Sequence, residues 1–216
     1  MDSGIIINGR NSLAYGIALA DGWKISAPER RKATVTIPGR DGVLDFSTAL
    51  TGYPLYGTRT ISFTLVPPYW LEKNAVLDLY RRILANNGMY VDVELPDVAG
   101  YHWNGVLKAT RTFERFWTFP CSLTSVYPYR LKNCENTLTA AVSGQTLHVV
   151  NMGDEPAVPT ITTTASVNIM ANGASHALSS GIFRDTAFRL KPNTDNQWTV
   201  SGSGTITVTW QEGILA

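Results

Sequence analysis

The sequence predicts a mainly β protein of two domains. Residues 1–130 read as an antiparallel β-sheet or sandwich with one α-helix at about 71–86, and residues 131–216 read as a β-sandwich. Three observations predict this. Apolar and polar residues alternate with period two in many short runs. A single stretch has helical spacing instead. Composition also changes near residue 130: all 9 Tyr, 4 of 6 Trp and 5 of 7 Phe lie before it. Charge changes at the same place, from 14 Lys/Arg and 11 Asp/Glu before it to 4 and 6 after it.

The elements follow in order. Residues 33–37 alternate and stop at Pro38-Gly39. Residues 58–66 form the clearest strand, with Ile61, Phe63 and Leu65 on one face and Thr60, Ser62 and Thr64 on the other. Pro67-Pro68 ends it. Over 71–86, Leu71, Ala75, Val76, Leu79, Tyr80, Ile83 and Leu84 make one apolar stripe. Acids early, Arg81 and Arg82 late, and Asn87-Gly88 beyond suit a helix that ends there. Residues 89–95, 106–110 and 113–125 complete the first sheet. Tyr127-Pro128-Tyr129 is an extended junction, because proline disfavours helix in the residue before it.

In the second half, residues 137–142 and 145–150 flank Ser143-Gly144 as an expected hairpin. Residues 151–156 form a loop, and 160–164, 167–170, 186–190, 196–201 and Thr205–Trp210 are expected strands, with a turn at Asn172-Gly173. Ile206, Val208 and Trp210 point inward. Short strands, close turns and no helix predict a sandwich.

Composition excludes several classes. At 44% hydrophobic and 16% charged residues the chain is no disordered tail. A formal net charge of +1 lacks the basic excess of a dedicated nucleic-acid binder. Cys121 and Cys134 are too few for a disulfide scaffold and read as reduced thiols. The first residues do not read as a signal peptide, and no run approaches the ~20 apolar residues of a membrane helix.

Catalytic, cofactor and metal signatures are missing. His102, His148 and His176 are scattered, away from zinc spacing. No phosphate-binding glycine loop and no serine-hydrolase elbow occurs. The paired carboxylates a glycosidase would use are Asp92 with Glu94 and Asp41 with Asp45, and Asp92 and Glu94 share an outward strand face. Two features remain. Glu29-Arg30-Arg31-Lys32 is a basic run, read as a solvated loop, a charged subunit contact or a phosphate-facing patch. Gly39, Arg40, Asp41 and Gly42 form a turn between strands, with Gly39 supplying backbone freedom.

The run Ile37-Pro38-Gly39-Arg40-Asp41-Gly42-Val43-Leu44-Asp45, then Leu50-Thr51-Gly52 and Tyr56-Gly57-Thr58-Arg59-Thr60-Ile61-Ser62-Phe63, resembles the distal tail proteins (Dit) of long, non-contractile phage tails. The helix, the Tyr-Pro-Tyr link, Asn151-Met152-Gly153-Asp154-Glu155-Pro156 and the closing Trp210-Gln211-Glu212-Gly213 follow in the order of that family. The resemblance implies a galectin-like second domain and a structural, non-enzymatic role without cofactors. It implies a homo-hexameric ring at the tail tip, made by the first domains. Such a ring joins the tail-tube protein to the tail-tip or tail-associated fibre protein, and DNA passes through its channel without specific binding. The implied location is the virion, after assembly in the bacterial cytoplasm. Arg30, Arg31, Lys32, Gly39, Arg40, Asp41 and Gly42 are then candidates for a subunit-contact arm or the channel wall.

Other readings stand beside this one. A carbohydrate-binding module could use Trp198 or Trp210 as a sugar-stacking platform, although His176, Arg184 and Arg189 lack convincing spacing and Trp210 alternates with core residues. A tail-tube or tail-completion protein would share the first sheet and helix. A wall hydrolase would rest on the carboxylates alone.

Overall fold

The computed structural model describes residues 3–39, 41–49, 52–113 and 116–215. The chain divides into two compact units, Met1–Pro128 and Tyr129–Ala216. Among the described residues it is mostly β, with one α-helix.

The first unit contains β1 (Ile6–Ile7), β2 (Arg10–Asn11), β3 (Ala18–Leu19), β4 (Lys24–Ile25), β5 (Thr34–Thr36), β6 (Val43–Asp45), β7 (Thr60–Val66), α1 (Lys73–Leu84), β8 (Tyr90–Glu94), β9 (Tyr101–Ala109), β10 (Thr112–Phe113) and β11 (Trp117–Ser125). Its main sheet runs β2-β1-β8-β9-β11-β7-β3, with β4 also on β7 and β10 on β11. The pairings within it are antiparallel. Alternation sends Ile61, Phe63 and Leu65 inward with Phe119, Leu123, Leu107, Val91 and Val93. Helix α1 covers that face. Val76 and Ile83 are buried, Leu71, Leu79 and Tyr80 pack on the same core, and the Tyr80 ring stacks on Phe119 at 5.2 Å. The Leu84 side chain lies outside what is described.

The helix has no acid in its first turn, because Glu72 is its N-cap and Lys73 begins it. Its exit is tied to β9: Gly88 takes φ +77°, its N–H donates to the Leu107 carbonyl at 2.7 Å, and Asn87 Oδ1 accepts from Ala109 N–H at 2.9 Å. Arg59 is buried with its guanidinium 5.0 Å from the Trp103 ring, and its Nε donates to the Ser26 carbonyl at 2.8 Å. At Gly105 the β9–β11 contact leaves no room for a side chain. A Cβ there would lie 2.4 Å from the Thr124 carbonyl oxygen.

The other sheet face is open and polar. Lys24, Ser62, Ser122 and Lys108 lie side by side across four strands, and Thr60 faces Thr124 across two of them.

The second unit contains β12 (Arg130–Lys132), β13 (Asn136–Ala141), β14 (Gln145–Asn151), β15 (Thr160–Thr163), β16 (Val167–Ala171), β17 (Ala174–Leu178), β18 (Gly181–Phe183), β19 (Thr194–Gly202), β20 (Thr205–Trp210) and β21 (Gly213–Ile214). Tyr129 and Arg130 belong to it, since β12 pairs with β21 near the chain end. Two four-stranded sheets, β13-β20-β15-β18 and β14-β19-β16-β17, enclose a core that includes Val149, Ile161, Ile169, Leu190, Trp198, Val200, Ile206 and Val208.

Two local expectations change. Ser143-Gly144 does not close a hairpin: β13 pairs with β20 and β14 with β19, so these residues carry the chain from one sheet to the other. Residues 186–190 do not form a strand. Asp185 caps a 3-10 turn over Thr186–Phe188 by accepting from Ala187 N–H at 2.9 Å, and Leu190 makes only an isolated bridge to Ala157. By contrast, Asn172 and Gly173 both have positive φ and join β16 to β17 in a two-residue loop.

One pole of this unit is knitted by the loop after β14. Met152 N–H donates to Glu212 Oε1 at 3.0 Å, Asp154 N–H to the Gly213 carbonyl at 2.7 Å, and Leu215 N–H to Asp154 Oδ2 at 2.8 Å. Glu212 is buried and meets Lys132 Nζ at 3.1 Å.

Candidate assembly surface

The basic run and the glycine turn lie on one structure. Among the described residues, strands β5 and β6 pair only with each other, in the register Thr34↔Asp45, Val35↔Leu44, Thr36↔Val43. The six residues between them include Gly39 at φ +79° and Gly42 at φ +84°, the left-handed region that glycine occupies without strain. This two-stranded ribbon is anchored at its base. Arg30 bridges to Tyr56, Arg31 N–H donates to the Leu55 carbonyl at 2.7 Å, and Gly57 N–H donates to the Glu29 carbonyl at 2.8 Å. Arg30, Arg31, Lys32, Gly39, Asp41 and Gly42 are all exposed along it, and Arg40 lies outside the described residues.

The end of β6 is fixed by a polar clasp. Ser47 N–H donates to Asp45 Oδ1 at 2.8 Å, and Ser47 Oγ accepts from Ala33 N–H at 2.9 Å. Hydrogen bonds from Ser47 hold the Asp45 carboxyl below its ordinary value, with the fields of Arg30 and Lys32 adding in the same direction.

Directly opposed residues share a face in an antiparallel pair. One ribbon face therefore carries Val35 and Leu44, with Ile37 and Phe46 two residues further on. Val35 is 51% exposed, Phe46 47% and Ile37 40%. The opposite face carries Thr34, Thr36 and Asp45, interrupted by Val43.

A second apolar surface was not anticipated by the sequence reading. A groove at the end of β7 is lined by Leu13, Val66, Pro68, Tyr69, Trp70 and Phe116. Tyr69 and Trp70 meet edge to face at 5.0 Å and are 79% and 71% exposed. They follow Pro67-Pro68 in the turn after β7. The available signal was two aromatics directly after two prolines; Leu13 and Phe116 come from distant parts of the chain.

The remaining candidates are placed elsewhere. Trp198 and Trp210 are 1% and 8% exposed, so neither ring offers a face to a sugar. Both are core residues of the sandwich, and the Trp198 ring lies 5.8 Å from Phe188. Asp92 lies on the open sheet face, where it accepts from Asn104 Nδ2 at 2.7 Å, and Glu94 accepts from Gly100 N–H at 3.1 Å. His148 pairs with Asp195 at 2.6 Å on an exposed strand pair, and His176 packs against Phe188. Among the described residues no three His, Cys, Asp or Glu side chains come together in a metal-binding group. No described helix is long and apolar enough to cross a membrane.

No protein-family model matches this chain. No curated protein matches it by sequence. Its fold is similar to the crystal structure of the SPP1 Dit (gp 19.1) protein, described as a paradigm of the hub adsorption apparatus in phages that infect Gram-positive bacteria. The TM-score is 0.66 at 14% identity, covering 96% of this chain and 98% of that one.

Proposed function

We propose that this chain is a structural protein of a phage tail: a distal-tail hub subunit that forms a hexameric ring and joins the tail tube to the tail-tip or baseplate proteins. Its place is the virion, its action is mechanical rather than catalytic, and its ring leaves a channel for DNA. The observation that carries this reading is the likeness of both units, over nearly the full length of both chains, to one hub protein. A tail-tube or completion subunit accounts for the first unit alone. The glycan-binding reading loses its aromatic platform with Trp198 and Trp210 in the core.

The physical features agree. A ring of identical chains uses one surface against a different surface of the neighbour. The ribbon is an exposed arm suited to that contact, with Arg30, Arg31 and Lys32 at its base. A net charge of +1 suits a wall that DNA slides past, since tight DNA binding needs many phosphate-neutralising cations.

Native mass spectrometry of concentrated protein, followed by negative-stain imaging, tests the proposal. The expected species has six times the 23.6 kDa subunit mass and a central hole. Long open tubes would favour the tube subunit instead, and a persistent monomer in the presence of tail-tube and tip proteins would overturn the hub reading. Replacing Arg30 and Arg31 together by Glu is expected to weaken the ring. An unchanged ring with altered DNA ejection would move those side chains to the channel wall.

A further inference from the structure

We infer that the apolar face of the β5–β6 ribbon on one copy seats in the aromatic groove beside Pro67-Pro68 on the next copy, so that one chain carries both halves of its own junction. The inference rests on the hub reading and names the two surfaces that meet.

Four observations carry it. First, a two-stranded ribbon alone in water is marginally stable, and needs a further layer against its apolar face. Among the described residues this ribbon has no third strand, and Val35, Ile37 and Phe46 stay about half exposed. Second, the groove is a concave set of aromatics left open, whereas Trp and Tyr of this exposure are the residue types that anchor interfaces. Third, the two surfaces do not cover each other within one chain: Val35 stays 51% and Trp70 71% exposed with both present. An apolar ribbon face and an apolar groove on one chain, both exposed, are the unlike surfaces a head-to-tail ring requires.

The fourth observation is size. Tyr69, Trp70 and Phe116 against Val35, Ile37 and Phe46 remove on the order of 500 Å² of apolar surface from water. That is about a third of a standard interface and supplies its dry centre. The polar flanks, with Arg30, Arg31 and Lys32 on the ribbon side, are left to form the rim.

Site-directed crosslinking tests this. Cys134 is exposed and is first replaced by Ser, while Cys121 is buried, with its thiol pushed up to about 12, and stays inert. Chains carrying Val35→Cys and chains carrying Trp70→Cys are oxidised separately and after mixing. A covalent dimer is expected from the mixture and from neither alone, and a chain carrying both substitutions is expected to give a ladder ending at the ring number. A dimer from Val35→Cys alone would mean ribbon-to-ribbon pairing and would overturn the inference. So would an absence of crosslinks, and the native mass of the unoxidised double variant then separates the causes. An intact ring without a ladder overturns the docking alone; a monomer overturns the hub reading with it. Trp70→Asp, at a side chain whose exposure spares the fold, is expected to shift the ring toward monomer at least tenfold in concentration, and an unshifted ring would also overturn the inference.

Discussion

Glu155 and Glu212, at one pole of the second unit, respond to pH in opposite senses. Burial raises the Glu155 carboxyl above its ordinary value. A carboxyl raised on folding weakens the fold as pH climbs past the unfolded value toward the folded one. Glu155→Gln should therefore stabilise the protein by about 1 kcal/mol near pH 7 and have little effect near pH 4, read from urea titrations at each pH. For Glu212, burial raises the carboxyl, but hydrogen bonds from Met152 N–H and Lys132 Nζ, with the neighbouring Asn136 amide acting in the same direction, outweigh it, so the net shift is downward. Its stabilisation is present above the unfolded value and is lost as pH falls through the folded one. Lys132→Met leaves that buried carboxylate without its cation. The half-exposed lysine makes the expected loss about 2 kcal/mol near pH 7, below the range for a fully buried pair, and the loss should shrink on acidification as both forms protonate. An equal loss at low and neutral pH would mean that packing of the lysine stem, rather than its charge, was removed.

At the scale of elements, Gly105 shows why β9 and β11 pack as they do. The Thr124 carbonyl occupies the space of a Cβ, so Gly105→Ala must push two central strands apart. A loss of about 1–3 kcal/mol is expected in denaturant titrations, with helix α1 unaltered by far-ultraviolet circular dichroism. Strands such as β7 and β20 were legible because one face is buried and the other is not. Helix α1 was legible for the same reason at a period of 3.6. What alternation does not encode is the partner. Ser143-Gly144 has hairpin chemistry, yet the neighbours of β13 and β14 lie far along the chain in β20 and β19. Residues 186–190 alternate weakly, and a capping Asp185 turns them into a 3-10 turn, because a side-chain acceptor competes locally with ladder bonds. The candidate site was legible only in part. The glycine turn and basic run announced the ribbon, while its half-exposed Val35–Leu44 face depends on register. The groove joins Leu13, Trp70 and Phe116, which no local pattern connects. Trp198 looked equally fit for a sugar or a core, and burial decided it.

At the scale of the whole molecule, the second unit ends where it starts. Arg130 faces Ile214 and Leu131 faces Gly213 in an antiparallel pair, so its first and last strands lie about 5 Å apart. A fold whose two ends touch can be joined there and opened at a surface turn instead. Residues 129–215 joined head to tail by a short Gly/Ser link, and opened instead between Asn172 and Gly173, should fold to the same β spectrum with a cooperative unfolding transition. A non-cooperative product would mean that the β16–β17 turn must stay closed for the sandwich to form. The same touching ends make this unit a cassette: it can enter and leave an exposed loop of another protein through one narrow doorway.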